Sequence, residues 1–403
     1  MTPIVKELSA LILQHAWQTA FATAIDDVKR HRVAALAHIN SLSDYLQFID
    51  EMVRWAPRES GDSRMVHDKL VEFYFFLDQP SLLALQSPVQ PTEPTEPTQL
   101  NERHGSRAEL LPLSPLSPLL PLSPLSRWIV EYAKAWGEYL DTDASAVHIF
   151  SFHSNPAFRW HDYMPPPSGY KTFNQFFARH VKPGYRPVAQ PHSHSVVVAP
   201  ADAVFLGQWP ICAESTIHVK GLRWTIAQLL DGSPYADRFA NGVFTHSGLR
   251  TFDYHRWHAP VEGCVLEARV IQGQAYLEVN TVEKDGIVSL TAVEGTGYQF
   301  VQMRGLVVLD SPVGLVACLP VGMAQVSSVV ITAEVGKLIR KGEEMGYFQF
   351  GGSDFVMLFE ASARVEFSCE MEAHSLQGSA VGVCMGGVSG QPVRPTRIQG
   401  EVL

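Results

Sequence analysis

A run of prolines divides this chain of 403 residues into two parts. Residues 91–98 repeat Pro-Thr-Glu, and residues 111–126 repeat Leu, Ser and Pro. Proline lacks an amide hydrogen and fixes its own φ, so such a run is excluded from a helix interior and from a central strand. We therefore predict that residues 87–126 form an extended or disordered surface insertion or linker. The alternative interpretation is a ligand for a proline-binding module.

Helical spacing occurs on both sides of this insertion. Apolar residues recur at steps of three and four over residues 1–86, which predicts an N-terminal helical domain. Similar spacing within residues 127–189 predicts a helical segment that leads into the next domain. Residues 190–403 instead contain short β-branched runs bounded by Gly, Pro and Asp, which indicates a β-rich domain. The predicted fold class is therefore α+β, with the helices segregated at the N-terminus.

The composition limits the class of partner. A net charge of −10 argues against a nucleic-acid-binding protein and against electrostatic binding to anionic lipid. No apolar run reaches the roughly 18 residues that a membrane span needs, and the N-terminus lacks the basic start of a signal peptide. The 5 cysteines are widely spaced, as in reduced intracellular proteins. We therefore expect a cytoplasmic protein with no clear membrane segment.

Two short segments carry residue types suited to catalysis. Gly351 and Gly352 precede Ser353, and His255 and His258 lie about a hundred residues upstream. Taken alone, each segment is ambiguous, because serine after glycine is common in turns and a His-x-x-His pair is more often structural than catalytic. A zinc site needs a third ligand at a recognisable spacing, and the sequence shows no clear candidate for it. No metal is therefore predicted.

Taken together, several segments resemble the phosphatidylserine decarboxylase family, whose members carry a pyruvoyl group made from a serine of their own chain. The resemblance covers roughly residues 172–360 and follows the family's order of motifs. These motifs are Phe176-Phe177-Ala178-Arg179, Lys182-Pro183-Gly184-Tyr185-Arg186-Pro187, Ala199-Pro200-Ala201-Asp202, Val219-Lys220-Gly221, residues 253–263, Val321-Gly322-Met323 and residues 341–353. The family implies a mainly antiparallel β catalytic domain for residues 190–403.

The resemblance also implies that the chain cuts itself between Gly352 and Ser353. The Ser353 hydroxyl would attack the carbonyl carbon of Gly352 in an N→O acyl shift. Serine is a poor nucleophile until a base takes its proton, and the resemblance assigns that role to His258. Asp202 would orient this histidine and stabilise its charge, as in other triads.

The cofactor would then come from the protein itself. The resemblance implies fragments 1–352 and 353–403, which remain associated, with Ser353 converted to a pyruvoyl group. Its ketone would form a Schiff base with the substrate amine, so no pyridoxal phosphate is expected. His255 would protonate the α-carbon after CO₂ leaves. The expected partner is thus a small amine-bearing carboxylate, and an oligomer is left open.

Asp354 departs from the family pattern, which usually has threonine or serine after the cleavage serine. A carboxylate there would oppose the oxyanion on Gly352 unless a cation or a proton neutralises it. It would then slow maturation or shape the substrate pocket. The simpler interpretation is that Asp354 turns outward and does neither. If Asp354 has silenced cleavage, the chain would instead be a non-enzymatic binding protein.

The substrate is the least constrained part. The motifs most resemble the soluble fungal tryptophan decarboxylase-like branch, which shares Trp257 and the Gly-Gly pair before the serine. We therefore predict a soluble aromatic amino acid such as L-tryptophan, with Trp257, Phe350 and Gly351 as substrate-binding residues. Trp224 is a second candidate for a stacking wall, and core packing is the alternative role for either tryptophan. Phosphatidylserine is the alternative substrate.

Overall fold

Helices come first along the chain. The computed structural model describes residues 1–59, 64–88, 122–219, 222–293, 297–324 and 329–386. Its α-helices are α1 (Pro3–Gln14), α2 (Gln18–Arg30), α3 (Leu42–Met52), α4 (Met65–Leu77), α5 (Pro80–Leu83), α6 (Pro124–Leu140), α7 (Phe173–Phe177) and α8 (Ile226–Leu230). Over the described ranges, no helix is both long enough and apolar enough to cross a bilayer.

The N-terminal helices pack through the apolar faces that their sequences predict. Helix α1 buries Val5, Leu8 and Ile12 at steps of three and four. Helix α6 follows the proline-rich region in sequence but packs against α1, where the Trp128 indole N–H donates to the Ile4 carbonyl at 2.9 Å. Because α6 begins at Pro124, the helical layer resumes inside the predicted insertion.

The two ends of the proline-rich region meet at one point. The Ser87 amide donates to the Ser126 hydroxyl, and the Ser123 amide donates to the Ser87 hydroxyl, each at 2.8 Å. The chain therefore leaves the helical layer and returns to it at the same place. Residues 89–121, on which the prediction of an extended or disordered insertion mainly falls, lie outside the described residues.

Strands are the main regular elements of the described chain after residue 195. They are β1 (Val196–Val198), β2 (Ala203–Pro210), β3 (Thr216–Val219), β4 (Leu222–Thr225), β5 (Val243–Leu249), β6 (Arg256–His258), β7 (Gly263–Ile271), β8 (Val279–Lys284), β9 (Ile287–Ala292), β10 (Arg304–Ser311), β11 (Gly314–Met323), β12 (Val329–Ile331), β13 (Leu338–Ile339), β14 (Glu344–Phe348), β15 (Gly352–Phe359), β16 (Val365–Phe367), β17 (His374–Ser375) and β18 (Ala380–Cys384). The predicted α+β class is confirmed.

One sheet of 8 strands forms the centre of the β domain, in the order β13-β7-β10-β11-β15-β5-β2-β17. All of its strand pairs are antiparallel, as expected. Side chains alternate across β15: Phe355 and Met357 join the main core, which includes the N-terminal helices, whereas Val356 and Leu358 join a second core around α8. Both faces of the sheet are therefore covered.

Two smaller sheets flank this one. Strands β12, β14 and β6 form the first, with β6 at its edge, and β1, β18 and β16 form the second. The turn after β14 leads directly into β15, so the edge strand β6 lies beside the chain that enters the central sheet. This arrangement brings the His255–His258 segment towards Ser353.

Asp78, which caps the end of α4, joins the helical layer to the β domain. Its carboxylate accepts hydrogen bonds from the Tyr276 hydroxyl and, at 3.0 Å, from the Val279 amide. Burial removes most of the water around the Asp78 carboxyl and raises its pKa. The two hydrogen bonds take the place of that water. The nearby Tyr74 hydroxyl donates to the Ala324 carbonyl across the same junction.

We expect Asp78→Ala to lower the free energy of unfolding by about 1–3 kcal/mol, because it leaves buried donors without an acceptor. Urea unfolding followed by circular dichroism measures the change. The matched control is Asp68→Ala on the same helix, where the side chain is 46% exposed and paired with Arg64. A surface pair of that kind contributes about 0–1 kcal/mol. Equal effects of the two substitutions would contradict a junction role for Asp78.

Candidate active site

Ser353 lies near the start of the central strand β15. Its backbone is paired with Gly322 of β11 on one side and Leu249 of β5 on the other. The residue is 1% exposed, and its hydroxyl has no hydrogen-bond partner among the described residues. Gly351, two positions earlier, has φ of +156°, which L side chains rarely adopt. Most buried polar groups in proteins are hydrogen-bonded, so a buried hydroxyl without a partner calls for an explanation, of which a catalytic role is one.

His258 is held as a neutral base at the edge strand β6. Its Nδ1 lies 2.9 Å from the Gly342 carbonyl, which can only accept, so Nδ1 carries the proton. Its Nε2 then accepts from the Tyr254 hydroxyl at 3.1 Å. Burial lowers the pKa of His258 to about 4, so the ring is neutral near pH 7.

His255 has the same arrangement but a free ring nitrogen. Its Nδ1 donates to the Asp253 carbonyl at 2.9 Å, and its buried Nε2 has no partner among the described residues. The ring centroid lies 3.9 Å from that of Phe177. Burial lowers the pKa of His255 to about 3, and the positive charge of Arg179 acts in the same direction. The Nε2 atom therefore carries a lone pair in an apolar environment.

A loop centred on Asp253 fixes this ring. Arg179, which is 1% exposed, donates from Nη2 to the carbonyls of Phe252 at 2.7 Å and Asp253 at 3.1 Å. The Asp253 carboxylate contacts the Nε2 of His374 at 2.8 Å, and this hydrogen bond raises the pKa of His374. The loop that orients His255 is therefore hydrogen-bonded to Arg179, which precedes the predicted cleavage site in sequence, and to His374, which follows it.

Asp202 lies close to His258 but does not contact its ring. The carboxylate binds the guanidinium of Arg186 through contacts of 2.8 and 2.6 Å, and it also accepts from the Gln377 amide at 2.8 Å. The His258 amide donates to the Pro200 carbonyl, so the two segments are adjacent. The His258 ring donates to Gly342 and not to Asp202, so Asp202 does not orient the ring by a hydrogen bond; its charge acts on His258 through space.

The four predicted catalytic residues, Asp202, His255, His258 and Ser353, thus lie on adjacent segments, but their side chains are not hydrogen-bonded to one another. No hydrogen bond links the Ser353 hydroxyl to His255 or His258. The main chain does link the segments, because the Phe348 amide donates to the His255 carbonyl at 2.8 Å. Catalytic hydrogen bonds are often long or poorly aligned before substrate binds and tighten only in the complex.

The predicted substrate-binding residues are mostly core residues. Trp257 is fully buried, with its ring centroid 6.0 Å from that of Phe355. Phe350 is 2% exposed and packs edge-on against Phe173. Trp224 packs against Phe300 in the second core. These placements favour core packing over stacking on a substrate for both tryptophans.

A cavity of about 340 Å³ lies beside the approach to the cleavage site. We call it the Arg179 cavity; its wall includes Tyr170, Asn174, Arg179, His180, Arg256 and Gln349. Gln349 lies three positions before Gly352, and the Asn174 side chain accepts from the Phe350 amide at 3.0 Å. The volume falls within the range of small-molecule sites. Throughout the described ranges, no three His, Cys, Asp or Glu side chains are grouped to hold a metal ion.

Asp354 does not turn outward, so that interpretation is wrong. The residue is 3% exposed, and its carboxylate lies 2.6 Å from the Nε2 of His246, which is fully buried. Sequence reasoning gave no role to His246, which belongs to none of the quoted motifs. It also gave no role to Tyr254, Arg179 or Arg186, although the motifs contain all three.

Comparison with known proteins identifies a family. The sequence model of the family described as phosphatidylserine decarboxylase matches residues 173–383, which is about half of the chain. This range contains the candidate site and ends in β18.

Several relatives carry related names. Phosphatidylserine decarboxylase proenzyme 3 of Schizosaccharomyces pombe is 37% identical over 58% of this chain and 23% of its own length. Proenzyme 2 of Oryza sativa subsp. japonica is 31% identical over 59% of this chain and 37% of its own length. The proenzyme of Chlamydia muridarum is 32% identical over 53% of this chain and 67% of its own length. The chain therefore spans well under half of the fungal and plant relatives.

The two buried histidines predict how stability depends on pH. In the folded chain the pKa of His255 is about 3 and that of His258 about 4, against an ordinary value of 6.5. Between these values the unfolded chain binds more protons than the folded chain, so stability rises with pH. We expect the free energy of unfolding of the Ser353→Ala protein to fall from pH 6.5 towards 4, by up to roughly 1.4 kcal/mol per pH unit for each histidine.

Urea unfolding at several pH values measures this slope. Either His255→Gln or His258→Gln should reduce the slope, because each removes one titrating group. His192→Gln, at an exposed position, serves as the control and should leave it unchanged. Slopes that remain the same in all three variants would contradict the neutral state of the buried rings.

Proposed function

The chain belongs to the phosphatidylserine decarboxylase family, and on this basis we propose that it is a self-processing, pyruvoyl-dependent carboxy-lyase. One observation carries the proposal. Ser353 presents a buried hydroxyl without a partner at the start of a central strand, directly after a glycine pair. The neutral His255 and His258 lie on the segment beside the chain that leads into this strand.

Self-cleavage begins at the peptide bond between Gly352 and Ser353. The Ser353 oxygen bonds to the Gly352 carbonyl carbon, the C–N bond breaks, and the hydroxyl proton passes through a base to the freed amine. We assign the base to His258, whose Nε2 lone pair is held by the Tyr254 hydroxyl. Tyr254 must therefore turn away or relay the proton before His258 can act.

Cleavage is completed by elimination from the ester. The Ser353 Cα loses a proton, the Gly352 carboxylate leaves, and the remaining dehydroalanine is hydrolysed with release of ammonia. The Ser353 hydroxyl makes no hydrogen bond with the described residues, which supports its conversion to a pyruvoyl group, since no such contact would be lost. Strands β11 and β5 would hold it on either side. When formed, the group supplies a ketone that binds an amine and takes up the electrons left by CO₂.

His255 suits the later proton transfer. Its Nε2 is free, and the Asp253 carbonyl fixes its tautomer. The ring is neutral in the empty site, so it must first take up a proton. A substrate carboxylate beside the ring favours this, since a neighbouring negative charge raises the pKa of a histidine.

We propose a soluble aromatic amino acid, such as L-tryptophan, as the substrate. The Arg179 cavity supports this choice, because its volume of about 340 Å³ suits a molecule of that size. Its wall combines the aromatic rings of Tyr170 and Tyr347 with the cationic Arg179, whose Nε and Nη1 have no hydrogen-bond partner among the described residues. Such a wall can stack on a ring and attract a carboxylate.

A second candidate substrate is phosphatidylserine. The observation in its favour is that the relatives compared above are named phosphatidylserine decarboxylases. The head group of that lipid is also an amine-bearing carboxylate, so the same chemistry at position 353 would serve.

Self-cleavage predicts two fragments of very different size. We expect purified protein to contain a fragment 353–403 of 51 residues that begins with a pyruvoyl group, as measured by intact-mass spectrometry. Both fragments should co-elute in gel filtration without denaturant, because β15 is paired on both edges. Ser353→Ala should remain a single chain of 44.6 kDa. An uncut wild-type chain would support the non-enzymatic alternative.

The two substrates can be distinguished with the same preparation. Incubation with L-tryptophan should release CO₂ and tryptamine, detected by mass spectrometry, with Ser353→Ala as the inactive control. A parallel incubation with phosphatidylserine vesicles tests the second candidate. Phosphatidylethanolamine as the only product would reject the amino-acid substrate while leaving the decarboxylase chemistry intact.

A further inference from the structure

A buried His–carboxylate pair lies directly behind the proposed cleavage site. Asp354 follows Ser353 on β15, and side chains alternate along a strand, so Asp354 faces the second core while Ser353 faces the main core. His246 lies on the neighbouring β5, diagonally opposite Asp354, which is paired with Gly248. The Asp354 Oδ2 and the His246 Nε2 are 2.6 Å apart.

His246 is well placed to compensate the Asp354 charge. Its side chain has no exposed surface, and that of Asp354 is 5% exposed. Among the described residues, Asp354 forms no other salt bridge. The ring edge of His246 packs against Phe300, with centroids 5.3 Å apart, so water is excluded from this side of the pair. A buried carboxylate requires a partner of this kind.

The Asp354 charge matters because of where cleavage creates another charge. The acyl shift places a negative charge on the Gly352 carbonyl oxygen. Gly352 and Asp354 are two residues apart along an extended strand, a Cα separation of about 7 Å. At that distance in a protein interior, an uncompensated carboxylate would disfavour the oxyanion by at least about tenfold in rate.

We propose that His246 is a positioning residue for self-cleavage, which holds and neutralises the Asp354 carboxylate so that the oxyanion at Gly352 can form. The inference rests on the proposed function, because it concerns the same cleavage. It gives a role to the His246–Asp354 pair, neither member of which is chemically changed by the reaction. The pair also bridges the two fragments, since His246 belongs to 1–352 and Asp354 to 353–403.

The test is a double-mutant cycle on the rate of cleavage. Full-length chains made by cell-free synthesis are followed over time by denaturing electrophoresis. We expect His246→Gln to be cut at least about tenfold more slowly than wild type, because it leaves the Asp354 charge unneutralised. The double variant His246→Gln/Asp354→Asn should be cut at the rate of Asp354→Asn alone, since the charge is gone.

Controls separate this role from packing. His194→Gln breaks a His–carboxylate contact of the same length, to Glu262 at an exposed site, and should not change the rate. Folding of each variant is checked by circular dichroism in a Ser353→Ala background, and His246→Asn replaces His246→Gln if the latter does not fold. A double variant that folds but is cut as slowly as His246→Gln overturns the proposal.

Hydroxylamine identifies the affected step, because it cleaves the ester that the acyl shift forms. We expect little hydroxylamine-dependent cleavage of His246→Gln, since its ester does not accumulate. Accumulated ester would place the defect after the acyl shift and overturn the proposal. If the wild-type chain is not cut, the proposed function is rejected. If the wild-type chain is cut and His246→Gln is cut at the same rate, only the role of His246 is rejected.

Discussion

The pairing of β15 on both of its edges is the constraint on which the rest of the site depends. From Ser353 to Phe359, each residue of this strand is in register with β11 on one side and β5 on the other. A chain broken just before Ser353 therefore keeps its new end at a fixed place. The residues beyond β15 add further attachments, because β18 pairs with β1 and β17 pairs with β2. The proposed cleavage would thus change the covalent structure with little need for the fold to rearrange.

The two site histidines show how backbone carbonyls can prepare side chains for proton transfer. Both rings donate from Nδ1 to a carbonyl, of Asp253 for His255 and of Gly342 for His258. This leaves Nε2 as the atom with the lone pair in each ring, and burial lowers both pKa values so that the rings are neutral near pH 7. The two rings differ at Nε2: that of His258 accepts from the Tyr254 hydroxyl, whereas that of His255 has no partner among the described residues. One histidine is therefore ready for a ligand, and the other requires a local movement.

Much of this architecture follows from sequence patterns. Periodicity predicted the helical N-terminal layer and the β-rich remainder, because steps of three and four and short β-branched runs are local signals. The motifs identified the segments around Asp202, His258 and Ser353. Long-range pairing was not predictable in this way. Asp354 meets His246, which is 108 residues earlier, and Asp202 meets Arg186 instead of His258. Such contacts depend on strand register and on which charges share a buried space.

The closure formed by Ser87, Ser123 and Ser126 has an evolutionary consequence. These three residues hold together the two described ends that flank residues 89–121. Doubling such a length costs only about 0.6 kcal/mol in loop-closure entropy. We therefore expect changes in the length of that stretch to cost little stability during evolution, and a reporter protein grafted there to leave the β domain folded.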